Sequence, residues 1–331
     1  LTVSENKVDR DLVEAWLESA TAAGYRRTVD YNREDQEGVA YFQMTMKNGR
    51  RCSSAAAYLK PARKRSNLHI FINAHSEKLL IDGNDVTGVR CKIQGKSVDI
   101  SARREVILSA GSIGSPQLLM LSGIGDAAEL RPHGIDVLQH LSGVGKNLQD
   151  HLQARPVFKC RSSTINTETK NIFQLAAVAF QYVLNRSGPM AMAASLGTGF
   201  LKTHDELECP DIQFHIQPFS ADNPAEGSHK FSAFTASVLQ LRPESTGRIS
   251  LKSASPYDYP AIHTNYLATK KDVDTLVAGI KIARKICDFA PLKNLITEEY
   301  APGAGVGRDD DNAILDWARS TATTIYHPTG T

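Results

Sequence analysis

The run Glu105 to Gly125, EVILSAGSIGSPQLLMLSGIG, restricts the fold more than any other stretch of the chain. Val106-Ile107-Leu108 is continuously apolar, the pattern of a strand buried on both faces in a parallel sheet. It ends in Ser109-Ala110-Gly111. Small residues at a strand's C-terminal end let a ligand approach the backbone closely. Ser115 suits a helix N-cap, Pro116 the first helical position, and Gly123 with Gly125 the stop. The reading is strand, turn, helix. The same glycines would also serve tight packing alone, so the run by itself leaves both roles open.

The neighbouring sequence extends this pattern. LHIFIN (68–73), HSEKLLID (75–82), VTGVRCKI (86–93) and SVDISARREVILSA (97–110) are strand candidates, with turns at Asp82-Gly83 and Gln94-Gly95. Residues 7–24, 170–186, 268–289 and 310–322 have helical periodicity. In 170–186 the residues Phe173, Ala177, Phe180 and Leu184 share one face. In 268–289 Val273, Leu276, Val277, Ile280 and Ala283 do so. Residues 30–50 hold β-prone runs ending at Asn48-Gly49, a hairpin signal. Residues 211–217 and 231–252 alternate like antiparallel strands, with a turn at Ser245-Thr246-Gly247. A βα-type region over about 66–135 beside helices and antiparallel strands predicts α/β plus α+β architecture in two intertwined domains.

A chain of 331 residues can bury a sizeable core. Its net charge of +2 implies neither a nucleic-acid nor a membrane partner, and no apolar run reaches the roughly 20 residues of a membrane span. The five cysteines are dispersed, without a CxxC pair, which argues against a disulfide framework or a zinc site and fits a reducing, cytoplasmic compartment. No metal site is expected. The absence of an initiator Met and the turn-like ending IYHPTGT predict an internal piece of a longer protein.

Two short segments carry candidate chemistry. Tyr326-His327-Pro328-Thr329-Gly330-Thr331 places an imidazole on a constrained turn, as a general base requires, although a lone His also serves structure. Gly143 to His151, GVGKNLQDH, offers Asp150 beside His151. Adjacent residues do not generally face each other, so a turn or capping role is expected for Asp150. No HExxH, GxSxG, Walker loop or GxGxxG occurs.

Together these segments closely resemble the glucose–methanol–choline (GMC) oxidoreductase family. Gly111 to Gly125 is similar to that family's second signature. HGIDVLQHLSGVGKNLQDH (133–151) resembles its GVG-x-NLQDH segment, and RRCSSAAAYLKPARKRSNLHI (50–70) its R-x-S…A-YL-P…R-NL run. LRPESTGRISLKSASPYDYPAIHTNYL (241–267) resembles its RP-x-S-x-G…NYL stretch, and YHPTGT its YHP-x-GT motif. The similarity spans nearly the whole chain.

The resemblance implies an FAD-binding doubly wound domain, incomplete here, interleaved with a substrate domain of antiparallel sheet and helices. The implied division is 1–65, largely substrate domain or lid; 66–150, FAD-binding; 151–325, substrate-binding; and 326–331, the start of the C-terminal active-site segment. It implies oxidation of a small-molecule alcohol by hydride transfer to FAD, with His327 as the base and Ser76, Ser109, Ala110, Gly111, Pro328 and Thr329 beside the cofactor. The residues assign no electron acceptor; a dehydrogenase is preferred over an oxidase. A non-redox lyase on the same flavin fold and a catalytically incomplete remnant are the alternatives. This sequence departs from the family in several respects, among them Ser76 where relatives usually carry a Val. The GxGxxG strand and the residue pairing with His327 are not in the chain. Relatives often carry Pro and Asn-Gly where Tyr25-Arg26-Arg27 and Asn32-Arg33 stand. Ser195 to Phe200, SLGTGF, lacks the Glu of the EAGGF-like run that choline-acting members often carry.

Overall fold

The computed structural model describes residues 1–6, 8–222 and 227–331. Among these, five helices have eleven residues or more: α1 (Asp11–Ala22), α2 (Gly111–Leu121), α3 (Ile172–Asn185), α4 (Lys270–Cys287) and α5 (Asp311–Thr321). Four fall where helical periodicity predicts a helix, and α2 overlaps the helix expected after Ser115. The first predicted helix includes residue 7, which lies outside the described residues. The chain divides into two compact units. Unit 1 comprises 1–65, 152–242 and 270–324; unit 2 comprises 66–151, 243–269 and 325–331.

Unit 1 is built on an eight-stranded antiparallel sheet. Its centre is Ile212–Gln217 paired with Ala233–Gln240, in the register His215 opposite Ser237. Strand side chains alternate, and residues paired across strands share a face. Ile212, Phe214 and Ile216 therefore point one way and are fully buried. The helix α4 covers this face at Gly279, where an added Cβ would lie 2.8 Å from Val238 Cγ2. Close approach, rather than backbone freedom, requires glycine there. Trp16 of α1 is also buried, with its ring centroid 5.9 Å from that of Phe214. The opposite sheet face is polar yet buried: it carries Thr198, Thr235, Ser237, Gln217 and Gln153. Behind α4, the buried Arg284 donates to Glu299 at 2.8 Å and to the Val306 carbonyl at 3.0 Å.

The helix α3 behaves otherwise. The periodicity of 170–186 is helical, as expected, but none of its residues is buried and its apolar stripe faces solvent. Phe173, Phe180 and Leu184 are 83%, 65% and 61% exposed.

Unit 2 contains the antiparallel meander Ala74–Asp82, Asp85–Ile93, Lys96–Ser101. Its first turn has Gly83 at φ 58° and its second has Gln94 and Gly95 at positive φ, as the turn signals require. The helix α2 packs on the meander; the buried Ser122 at its end accepts the Leu79 N–H at 2.9 Å. Met120, Leu121, Leu130, Leu148, Ile249 and Leu251 form the apolar core of this unit.

Two expectations change. First, residues 68–73 and 105–109 are not strands, and Ile107 is 78% exposed. A buried parallel strand needs neighbours on both edges, and no described residues pair with these runs. Second, 231–252 is not one hairpin. Ala233–Gln240 belongs to the sheet of unit 1, whereas Gly247–Ser250 pairs with Ala261–His263 and Lys146–Leu148 in unit 2. The compact units are also discontinuous along the chain, and 243–269 packs in unit 2. Gly247 fixes that choice locally: a Cβ there would lie 1.9 Å from the His263 carbonyl oxygen.

Candidate active site

The site builds from α2. Its N-terminus is Gly111, at φ 75°, five residues before the expected first position, and Pro116 lies inside the helix. Ser115 is thus not the N-cap; its hydroxyl accepts the Ala110 N–H at 3.1 Å. Proline has no N–H, so Pro116 cannot bond to the Ser112 carbonyl four residues back. The Thr331 hydroxyl donates to that carbonyl instead. The Ser112 hydroxyl in turn donates to the Pro328 carbonyl at 2.6 Å. A helix irregularity written into GSIGSPQ is therefore completed by YHPTGT, more than 200 positions later.

The same turn is pinned from its other side by GVGKNLQDH. Gln149 and Thr329 exchange both backbone hydrogen bonds, at 3.0 and 2.9 Å. Gly330, at φ 91°, lies so close to Asn147 that a Cβ would meet its carbonyl oxygen at 2.2 Å. Asp150, buried, uses one carboxylate oxygen to accept the His327 N–H at 3.0 Å, and the other to accept the Tyr266 hydroxyl at 2.5 Å. Tyr326, just before, is held at φ 66°, a conformation uncommon outside glycine. The result is an exposed His327 imidazole on a backbone fixed by three segments. Its Nδ1 lies 3.4 Å from Nδ1 of His151, and the two rings meet edge to face with centroids 5.5 Å apart.

Asp150 has the capping role expected of it, but the peptide it caps is that of His327. Sequence reasoning gives no role to His151 or Tyr266. The adjacent Asp150-His151 pair is visible in the sequence; the residues it meets are not.

The predicted cofactor residues separate into two groups. Ser76, Ser109 and Ala110 line one cavity of about 430 Å³, together with Gly114, Gln117 and Leu118. Pro328 is on the turn held to α2 by Ser112, and Thr329 is on the bridge to Gln149. Neither lines that cavity, nor does Gly111. Ser76 is exposed and faces Cys91 across the meander, Oγ to Sγ 3.8 Å. In unit 1, Ser195 at the head of SLGTGF lies 3.4 Å from Nδ1 of His215 and accepts from the Gln217 amide at 3.3 Å. No helix among the described residues is long and apolar enough to cross a membrane.

Comparison with known proteins agrees with these motifs. The chain is 38% identical over its whole length to an alcohol dehydrogenase (acceptor) of Pseudomonas putida, of which it covers 60%. It is 36% identical over 97% of its length to an oxygen-dependent choline dehydrogenase of Staphylococcus xylosus, of which it covers 57%. It therefore spans about 60% of the length of the curated relatives it matches. The formate oxidase of Aspergillus oryzae, an FAD protein, superposes on 99% of the chain with a TM-score of 0.88 at 26% identity, the chain covering 62% of it. The sequence pattern of GMC oxidoreductases matches residues 1–153 and 243–331, which include the motif segments 50–70, 111–125, 133–151 and 326–331 and all but the first two residues of 241–267. The chain therefore belongs to the GMC oxidoreductase family.

Proposed function

We propose that the complete protein oxidises an alcohol with FAD as its cofactor, and that His327 takes the hydroxyl proton. The observation that carries this reading is the pinned turn: the backbone at His327 is fixed by Asp150, Gln149 and the N-terminal turn of α2, while its imidazole stays exposed. An alcohol is a poor hydride donor until its proton leaves, so a fixed imidazole lowers the barrier. A neutral imidazole has one donor and one acceptor nitrogen. With the shared proton on His327 Nδ1, directed at His151, the His327 Nε2 lone pair is the one that accepts the substrate proton. His151 then orients the base, and Asp150 holds the peptide that carries it.

The cavity beside Ser76, Ser109 and Ala110 fits a cofactor that approaches the backbone: the turn has only small side chains, and nothing lies within 4 Å of where a Gly111 Cβ would stand. We assign Ser76, Ser109, Ala110 and Gly111 to FAD contact, with Pro328 and Thr329 on the side of the reacting ring. Bound FAD supplies the two-electron acceptor for the hydride.

The substrate is assigned to neutral alcohols in preference to choline. The segment SLGTGF has no carboxylate to balance a trimethylammonium group, and Ser195 is engaged with His215 and Gln217. The test is anaerobic addition of a panel of primary alcohols, polyols and choline to the complete protein, following flavin absorbance. Bleaching by a neutral alcohol and not by choline is expected. A flavin that no alcohol reduces defeats the oxidative reading and leaves a lyase on this scaffold as its replacement.

A further inference from the structure

Helix α3 has an apolar surface that the rest of unit 1 does not cover. Its fourteen residues, IFQLAAVAFQYVLN, include no charge. Ile172, Phe173, Phe180, Val183 and Leu184 are all more than 60% exposed, and Met190 just beyond is 52% exposed. Solvent-facing helices are ordinarily polar on their outer side, and an apolar stripe of this kind marks a surface with a partner.

The surroundings indicate the chemistry of that partner. Lys170 and Arg186 flank the helix, and no Asp or Glu occurs between Thr169 and His204. Against its C-terminal end stands the hairpin Met46–Lys47/Arg50–Arg51. The Tyr182 hydroxyl donates to the Gly49 carbonyl at 3.1 Å, and a Cβ on Gly49 would lie 2.6 Å from the Arg186 carbonyl oxygen. The Arg186 guanidinium lies over the Tyr182 ring, 4.8 Å from its centroid. Lys47, Arg50 and Arg51 on the hairpin are exposed, and from Gly38 to Ser76 the sequence again contains no acidic residue. An uncharged apolar helix flanked by Lys170 and Arg186 and set against a basic hairpin, with Glu168 before it already paired to Arg10, has the profile of a helix lying in the interface of an anionic bilayer, apolar side in the acyl boundary and basic groups among the headgroups. At fourteen residues it is too short to span. A second copy of the same face would set cations against cations.

We propose that α3 and the 46–51 hairpin form a docking surface for anionic membrane, binding the protein to one leaflet without crossing it. Overall charge, near neutral, does not reveal this surface because its acids and bases are segregated along the chain.

The test uses the complete protein with vesicles of phosphatidylcholine, with and without about a third phosphatidylglycerol, in a flotation assay. Binding to the anionic vesicles alone is expected. Phe173→Glu with Phe180→Glu should weaken it on the order of a hundredfold, because two exposed aromatic anchors are lost. Arg50→Glu with Arg51→Glu should weaken it about tenfold and remove its sensitivity to salt. The indole of a Phe180→Trp variant should be quenched by brominated acyl chains. Absence of binding to anionic vesicles, or binding unaffected by the Phe pair, overturns the proposal. So does a variant that changes from dimer to monomer while still binding vesicles, which would assign the face to a second copy. Strong hydrogen-exchange protection of α3 in the complete protein without vesicles also overturns it, since another part of the chain would then cover the helix.

Discussion

In unit 1, Ile212–Gln217 and Ala233–Gln240 have a partner strand on each edge, and α4 covers one face of the pair. In unit 2, residues 68–73 and 105–109 are as apolar, yet neither joins a ladder among the described residues. The difference teaches that strand propensity is chiefly a measure of fit to a neighbouring surface. Where an edge is supplied in register, alternation becomes a sheet. Where none is supplied, the same residue types stay outside any sheet, and Ile72 and Ile107 are each 78% exposed. The two units accordingly depend on different forces. Unit 1 is held by apolar packing, with polar contacts such as that of the buried Arg284 with Glu299 behind it. The candidate site of unit 2 is held by polar contacts between distant turns.

That contrast can be broken by substitutions that should affect one unit and spare the other. The largest effect is expected in unit 1. Arg284→Ala leaves the Glu299 carboxylate without its partner beneath α4, and should cost about 3–5 kcal/mol of stability. Chemical denaturation of the complete protein would measure it, and a change below 1 kcal/mol would show the ion pair to be incidental. Next is His327→Ala in unit 2. Turnover should fall on the order of a hundredfold, equivalent to about 2.7 kcal/mol, with flavin content and melting temperature nearly unchanged. Equal turnover by variant and parent would remove His327 from the chemistry.

Gly330→Ala should act on both stability and rate, though only through unit 2. Its φ of 91° is costly for alanine, and the new Cβ would meet the Asn147 carbonyl. A loss of about 1–3 kcal/mol is expected, along with faster hydrogen exchange at Gln149 and Thr329. Unchanged exchange at these two amides would mean that the turn does not depend on this close approach. The smallest effect is expected for Tyr266→Phe, which removes one donor to Asp150 and should cost about 1 kcal/mol. Its turnover should fall only a fewfold, because the second Asp150 oxygen still holds the His327 peptide. A loss as large as that of His327→Ala would make the phenol a participant rather than a support.

Much of this architecture is legible in local sequence. The helices 11–22, 270–287 and 311–321 and the meander 74–101 are closed by local hydrogen bonds, and their periodicity and turn residues lie within a short window. The motif residues Ser109 to Gly111 and His327 are likewise apparent, because the chemistry they suit needs small residues and a constrained imidazole at those points. Asp150 is legible only as a carboxylate in a turn. Its partner lies 177 positions away, and no local pattern encodes such a pair.

The sequence by itself therefore determined the family, four of the long helices and the hairpins of the meander, and it singled out Ser109 to Gly111 and His327 as candidate residues. Only the tertiary structure decided which face of 172–185 is left open, that 243–269 joins unit 2, that helix α2 begins at Gly111, and that Asp150, His151 and Tyr266 meet the turn at His327. The physical reason is the range of the interactions. Helical and hairpin hydrogen bonds close over a few residues and are written in local spacing. The Ser112 carbonyl that Pro116 cannot bond, and the Gly330 approach to Asn147, are satisfied only when segments far apart in sequence come into contact.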